Sequence, residues 1–150
     1  MQGVFYYRLI IMADKLGVII KAKDLCEYIF LISDKSPKKF RMTLTLRMQN
    51  LSLDIIDNLM RANNIRLDGT EYNTRKRRQY QQQVKSYLDI LCSIAEIAMH
   101  QQCIQSKHFT QICLKSAETR KLLESWVRSD SDRLKQIELI SDNYMRAKNI

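Results

Sequence analysis

Glycine and proline are almost absent from this chain, whose 150 residues include 3 glycines and 1 proline. Tight turns, bulges and hairpins rely on these two residue types, so their scarcity argues against a fold built from many short strands. The apolar fraction of 45% is large enough to bury a core without disulfides or metals. The composition therefore predicts a single all-α domain with long helices and few turns.

Long apolar runs and known catalytic motifs are also missing. No segment reaches the ~18 uninterrupted apolar residues that a membrane span requires. The sequence contains no glycine-rich phosphate loop, no nucleophile elbow and no His-Glu-x-x-His zinc motif. We therefore predict a protein that is not an enzyme, needs no cofactor and does not enter a membrane.

The cysteines form no Cys-x-x-Cys pair, and each falls in a helical pattern. We interpret them as reduced thiols, which are typical of a reducing compartment, and expect a cytoplasmic protein. Zinc can use two histidines and two cysteines, but the spacing of the set in this chain matches no standard finger, so we predict no metal site. The cysteines are Cys26, Cys92, Cys103 and Cys113, and the zinc-like set is His100, Cys103, His108 and Cys113.

Positive charge dominates the chain, with 25 lysines and arginines against 16 acidic residues and a net charge of +9. Such a balance suits a polyanionic partner, either a nucleic acid or an acidic protein surface. The alternative is a basic protein whose charges serve only solubility. Clustering of the cations favours binding.

Apolar residues recur at helical spacing in four segments joined by short connections. This pattern predicts an antiparallel up-down four-helix bundle, with an irregular helical array as the alternative. The predicted helices cover residues 18–33, 37–64, 73 or 74 to 104, and 106–127.

The bundle is predicted to occupy residues 18–128, with a segment on either side. Residues 1–17 are interpreted as an N-terminal extension, either an extra strand or helix turn or a translated leader with Met12 as the natural start. Residues 129–150 begin with Ser-Asp-Ser-Asp, which is typical of a polar linker. A short amphipathic helix or a disordered tail is expected after it.

The second helix carries two apolar stripes on nearly opposite sides. A polar seam separates them, and it contains Asp57 and Arg61 at the i,i+4 spacing of an ion pair. One stripe is enough for the core of a bundle, so the second predicts an oligomer interface. The alternative is a central helix that the C-terminal segment covers. The first stripe is Phe40, Leu44, Met48, Leu51, Ile55, Leu59 and Ala62, and the second is Met42, Leu46, Leu53, Ile56 and Met60.

Cations cluster at two predicted helix starts. Ser36 is expected to cap the second helix with Pro37 in its first position, and the cations that follow oppose the helix dipole, which predicts an anion there. Four consecutive cations begin the third helix, where a solvated helix start is the alternative. Antiparallel packing would place the two starts at opposite ends of the bundle. The predicted nucleic-acid or partner-binding residues are Lys35, Lys38, Lys39, Arg41, Arg75, Lys76, Arg77 and Arg78.

Residues 21–65 resemble a known family in their KAKDL opening, SPKKFR junction and LRMQNLSLDIIDNLMRAN helix. They are similar to the four-helix-bundle accessory variability determinants (Avd), which accompany the reverse transcriptases of diversity-generating retroelements. The same broad family includes proteins encoded within ribosomal-RNA intervening sequences.

The resemblance implies a barrel-like homopentamer with a strongly basic surface and central channel. Such a protein binds the reverse transcriptase together with RNA or DNA, and supports mutagenic copying of template RNA into cDNA without catalytic residues of its own. The phosphate contacts expected from the basic runs carry no sequence readout. The alternative is an intervening-sequence type of oligomeric bundle that binds an acidic protein partner without a reverse transcriptase.

Overall fold

The computed structural model describes residues 2–148, with side chains from residue 17 onward, and within them it contains four long α-helices and no strand. The predicted all-α class and number of helices are confirmed. No helix of the described part is both long and apolar enough to cross a membrane. The helices are α1 (Gln2–Ser33), α2 (Leu46–Asn64), α3 (Glu71–His100) and α4 (Ser106–Lys148).

Interhelical ion pairs show that neighbouring helices run antiparallel. Lys21 contacts Glu118 at 2.9 Å and Asp24 contacts Lys115 at 2.6 Å, so residue numbers fall along α4 as they rise along α1. Polar contacts between α3 and α4 have the same sense. Each helix packs on the next and α4 packs on α1, which gives an up-down bundle.

One apolar core lies between the four helices, and burial of its side chains is the main source of stability. The first predicted stripe of α2 faces this core. Fully buried side chains of the core include Leu25, Ile29, Met48, Leu51, Ile55, Leu59, Leu88, Leu91, Leu123 and Trp126.

The connection from α1 to α2 differs from the prediction of a helix that begins at Pro37. Pro37 is extended, with φ −56° and ψ 139°, and it precedes a 3₁₀ turn at Lys38–Phe40 and a π-helical turn at Arg41–Thr45. The predicted Ser36 cap is wrong, because its buried hydroxyl makes no hydrogen bond in the described part of the chain.

The π-helical turn has a packing reason. Its i,i+5 hydrogen bonds make a wider turn than that of an α-helix, so residues spaced by four stay in line. Phe40, Leu44 and Met48 have this spacing, and all three pack against the core. The irregular start therefore keeps the apolar stripe directed inward while the cations between these residues face solvent.

Both ends of α3 also differ from the prediction. Thr70 caps the helix by accepting a hydrogen bond from the backbone N–H of Asn73, so α3 starts at Glu71. It ends at His100 rather than at residue 104, because the chain turns sharply at Gln102, whose φ is 58°.

The predicted polar linker at residue 129 is wrong, because α4 continues without a break to Lys148. Asp130, in the middle of the Ser-Asp-Ser-Asp run, is buried and ion-paired. The ion pair with Arg77 and the hydrogen bond from Gln81 offset much of the cost of burying this carboxylate. The backbone of residues 2–17 continues α1. Side chains before residue 17, and residues 149–150, lie outside the described part, so the predicted extension and the end of the tail stay predictions there.

Candidate nucleic-acid interface

The two predicted basic clusters lie at opposite ends of the bundle, as predicted. We call the end formed by residues 34–41 and 101–108 the basic end. The distal end is formed by the α2–α3 loop, the start of α3 and the last turns of α4. A separation of about 35 Å follows from the 24 residues between positions 41 and 64, at about 1.5 Å per helical residue. One compact ligand therefore cannot contact both clusters.

The four cations predicted at the basic end are all exposed, and within the described residues none forms an ion pair with an acid. No acidic residue occurs in the sequence between Asp34 and Asp54. The Lys39 ammonium lies 4.7 Å from the ring centre of Phe40, which packs against the core and fixes that turn. The cations are Lys35, Lys38, Lys39 and Arg41.

The α3–α4 turn adds charge that sequence reasoning missed. Lys107 is exposed beside the start of α4 and lowers the pKa of His108, as Lys35 does from the α1–α2 connection. The predicted antiparallel order of the helices could have indicated this contribution, because it places residue 106 next to residue 37. Two connections remote in sequence thus contribute to one basic end.

Acidic side chains near the helix starts make the two ends of the bundle electrostatically different. Both α2 and α4 begin at the basic end, and neither has an acidic residue in its first turn. At the distal end, α3 begins with Glu71, and Asp68 accepts hydrogen bonds from the backbone N–H and the hydroxyl of Thr70. Acidic groups near a helix N-terminus offset its partial positive charge. At the basic end neither helix start has such an acid in its first turn, and five cations lie beside these starts.

His108 responds to this positive field. Burial lowers its pKa below the ordinary value of 6.5, and repulsion by Lys107 and Lys35 lowers it further. Its ring meets the Tyr28 ring edge to face, with centroids 6.4 Å apart. At neutral pH the imidazole is therefore uncharged, and it can both donate and accept a hydrogen bond.

The distal cluster is less favourable for an anion. Arg75 pairs with Glu71, and the Lys76 ammonium lies 5.5 Å from the Tyr80 ring centre. Arg78 is exposed and has no ion-pair partner in the described part of the chain. Arg75 and Arg78 border an open groove beside α4 whose walls carry acids as well as cations.

Arg77 does not belong to the basic surface, which corrects the prediction. Its side chain is 2% exposed, and two of its nitrogens donate to the Asp130 carboxylate at 2.6 and 2.8 Å. Nη1 donates to the carbonyls of Ile65 at 2.8 Å and Ala62 at 3.1 Å. Gln81 donates to the same carboxylate at 2.9 Å. Arg77 therefore joins the end of α2 to α3 and α4.

The second apolar stripe of α2 is mostly exposed in the single chain. Met42 is 80% exposed, Leu53 47%, Met60 41% and Leu46 37%. Ile56 instead packs partly against the core of its own chain. The predicted Asp57–Arg61 pair borders the stripe, with 2.7 Å between Arg61 Nε and Asp57 Oδ2. An exposed row of this kind is typical of a surface that another protein covers.

The zinc-like set does not converge on one point. Cys103 Sγ lies 3.7 Å from the Thr45 hydroxyl oxygen, and His108 packs on Tyr28. Cys113 is next to Cys92, and burial together with that thiol raises the pKa of Cys113 to about 11. Among the side chains that the structure describes, no three potential ligands are grouped for a metal ion. All four cysteines are free thiols.

No model of a known protein family matches this sequence, and no curated protein is significantly similar to it. Function must therefore be argued from charge and geometry. The feature with the clearest physical meaning is the group of unpaired cations where α2 and α4 begin.

Proposed function

We propose that this protein is a non-enzymatic nucleic-acid-binding protein whose basic end contacts the phosphates of RNA or DNA. The observation that carries the proposal is five exposed cations without acid partners, collected at the end where two helices begin. Lysine and arginine bind phosphates largely through charge, so binding with little sequence preference follows.

We propose further that the protein serves as an accessory subunit of a diversity-generating retroelement. The resemblance of residues 21–65 to Avd supports this role, in which the protein binds the reverse transcriptase and template RNA or cDNA in the cytoplasm. The exposed second stripe of α2 supports assembly into an oligomer, for which the resemblance implies a barrel-like pentamer. The distal groove, with its mixed charges, offers a second surface for the polymerase.

A filter-binding titration with single-stranded RNA and DNA across a range of salt tests the nucleic-acid role. The logarithm of the binding constant falls linearly with the logarithm of the salt concentration, and each single-strand phosphate contact contributes about 0.7 to the steepness of that fall. Changing Lys38, Lys39 and Arg41 to alanine should therefore make the fall less steep by about 2. Affinity that does not change with salt in the unmodified protein would contradict a phosphate-dominated site.

Thermal melting of the same triple variant separates binding from folding. These cations lie in the 3₁₀ and π-helical turns that lead into α2, and none forms an ion pair within the described residues, so their removal should leave the melting temperature unchanged or slightly higher. A lower melting temperature with normal RNA binding would assign the three residues to structure.

The second candidate function is an oligomeric interaction bundle that binds an acidic protein. The exposed apolar stripe favours it, because the stripe begins next to the basic end at Met42 and protein interfaces combine apolar and charged surface. Competition with purified components distinguishes the two functions. RNA should displace an acidic peptide such as polyglutamate if nucleic acid is the partner, whereas tight peptide binding that RNA cannot displace would favour the second function. Failure of a purified retroelement reverse transcriptase to bind would remove the accessory role alone.

A further inference from the structure

An open cleft of about 540 Å³ lies at the basic end, between the α1–α2 connection and the α3–α4 turn. Its apolar wall includes Ile32, Met99 and Ile104, and its polar wall includes Lys35, Gln102 and His108. We propose that this cleft receives one nucleobase of a bound single strand while Lys35 contacts a neighbouring phosphate. This inference rests on the proposed nucleic-acid function and goes beyond it by naming where a base enters.

The chemistry of the walls suits a base better than a charged group. The apolar side chains can cover the face of a planar ring, and the Gln102 amide offers both a donor and an acceptor to its edge. His108 is uncharged at neutral pH and can also donate or accept. Among the residues that the structure describes, no carboxylate lines the cleft, and Lys35 in its lining matches the charge of a sugar-phosphate chain.

The backbone at Gln102 supports a role for its side chain. Gln102 is the one non-glycine residue with positive φ in the described part of the chain, at 58°. It occupies the position after the end of α3 where glycine is usual: its N–H donates to Met99 O at 3.0 Å, and Cys103 N–H donates to Ala98 O at 2.8 Å. Glycine would adopt this conformation without strain. The chain instead places a long amide there, directed by the turn into the wall of the cleft.

A preference for single strands follows from this placement. A base paired and stacked in a duplex cannot enter a cleft without first leaving the helix. Contact between one base and protein side chains changes affinity by about tenfold. A strand that keeps every phosphate but lacks its bases should therefore bind about tenfold more weakly than an intact strand.

Fluorescence anisotropy with two labelled strands tests the cleft directly. One probe is a 12-nucleotide oligouridine, and the other is an abasic strand of the same length and charge. The unmodified protein should separate the two strands about tenfold, and the Gln102→Gly variant should separate them only about threefold, because the base edge loses the amide while the apolar wall stays. Gln101→Ala is the matched control, because Gln101 is exposed on the same turn and does not line the cleft. This control should keep the tenfold separation.

Thermal melting accompanies the anisotropy experiment, since Gln102→Gly should melt at the same temperature as the unmodified protein or higher. Loss of base discrimination in such a variant cannot come from unfolding.

Three results would overturn the inference. If the unmodified protein binds oligouridine and the abasic strand equally, no base enters the cleft, although phosphate binding at the basic end still stands. If Gln102→Gly keeps the full tenfold separation, the Gln102 amide does not contact a base and the proposed arrangement in the cleft is wrong. If neither strand binds at low salt, the proposed nucleic-acid function fails and this inference fails with it.

Discussion

Replacing Asp130 with asparagine should cost about 3–5 kcal/mol of unfolding free energy, because it leaves the Arg77 guanidinium buried without a counter-ion. The charged pair is nearly inaccessible to water, at 2% and 8% exposure of the two side chains. An asparagine amide would also place N–H groups against the Arg77 donors. This loss is large compared with the total unfolding free energy of roughly 5–15 kcal/mol that is typical of a folded protein. Arg77→Met should lower the unfolding free energy by about as much, because it leaves the Asp130 carboxylate buried without its cation.

The double variant Arg77→Met with Asp130→Leu should be more stable than the summed losses of Arg77→Met and Asp130→Leu would predict by at least about 2 kcal/mol, because it leaves no unpaired buried charge. It should still be about 1–2 kcal/mol less stable than the unmodified protein. The remaining deficit has a specific origin, since the carbonyl of Ile65 loses the donor that Arg77 supplied at 2.8 Å.

Urea unfolding measured by circular dichroism and by tryptophan fluorescence suits this test. Trp126 is the single tryptophan of the chain, and its ring centre lies 5.0 Å from the Arg77 guanidinium carbon. Arg75→Ala is the matched control from the same basic run, since its pair with Glu71 is exposed and should be worth about 0–1 kcal/mol. Losses under about 1 kcal/mol for both Asp130→Asn and Arg77→Met would refute the structural role of the pair.

Gly69→Ala should lower the unfolding free energy by about 1–3 kcal/mol, because φ there is 87° and a Cβ would lie 2.9 Å from Ile137 Cγ2; equal urea midpoints would count against this. We expect light scattering to show an oligomer, a pentamer by the resemblance, and Leu53→Glu should reduce its mass to the 17.8 kDa of one chain. A monomeric unmodified protein would contradict this prediction. Hydrogen bonds from Thr70 lower the pKa of Asp68 below its ordinary 3.8. Their stabilising contribution should therefore be present above pH 3.8 and disappear as pH falls through the lower pKa of Asp68 in the folded protein. Acid titrations of unfolding free energy should show this loss in the unmodified protein and not in Asp68→Asn.

The core of the fold could be predicted because its signal is local. Buried residues of α2 such as Leu51, Ile55 and Leu59 recur at helical spacing, and that spacing alone shows which face turns inward. The π-helical turn could not be predicted, since it depends on how Phe40 and Leu44 meet side chains of other helices. Periodicity identifies a stripe but not the local backbone that aligns it.

Arg77 shows a different limit of sequence reasoning. Four consecutive cations wrap around a helix, so at least one of them must face its neighbours, but the sequence does not say which. The answer depends on Asp130, which is 53 residues away and whose polar neighbours in sequence are typical of a linker. Lys38, Lys39 and Arg41 could be predicted because they form a local cluster. The antiparallel order brings His108 near them, but the positive φ of Gln102 depends on the geometry of the α3–α4 turn, which the sequence does not reveal.

The most direct test of the account compares two triple variants that remove the same charge from opposite ends. One changes Lys38, Lys39 and Arg41 to alanine, and the other changes Arg75, Lys76 and Arg78. At about 0.1 M salt, the variant at the basic end should bind single-stranded RNA about a hundredfold more weakly, because three phosphate contacts at about 0.7 each give about two orders of magnitude. The distal variant should lose less than about threefold, as expected for charges that lie beyond the ~10 Å screening distance. Equal losses from both variants, or a larger loss from the distal one, would contradict the assignment of nucleic-acid binding to the basic end.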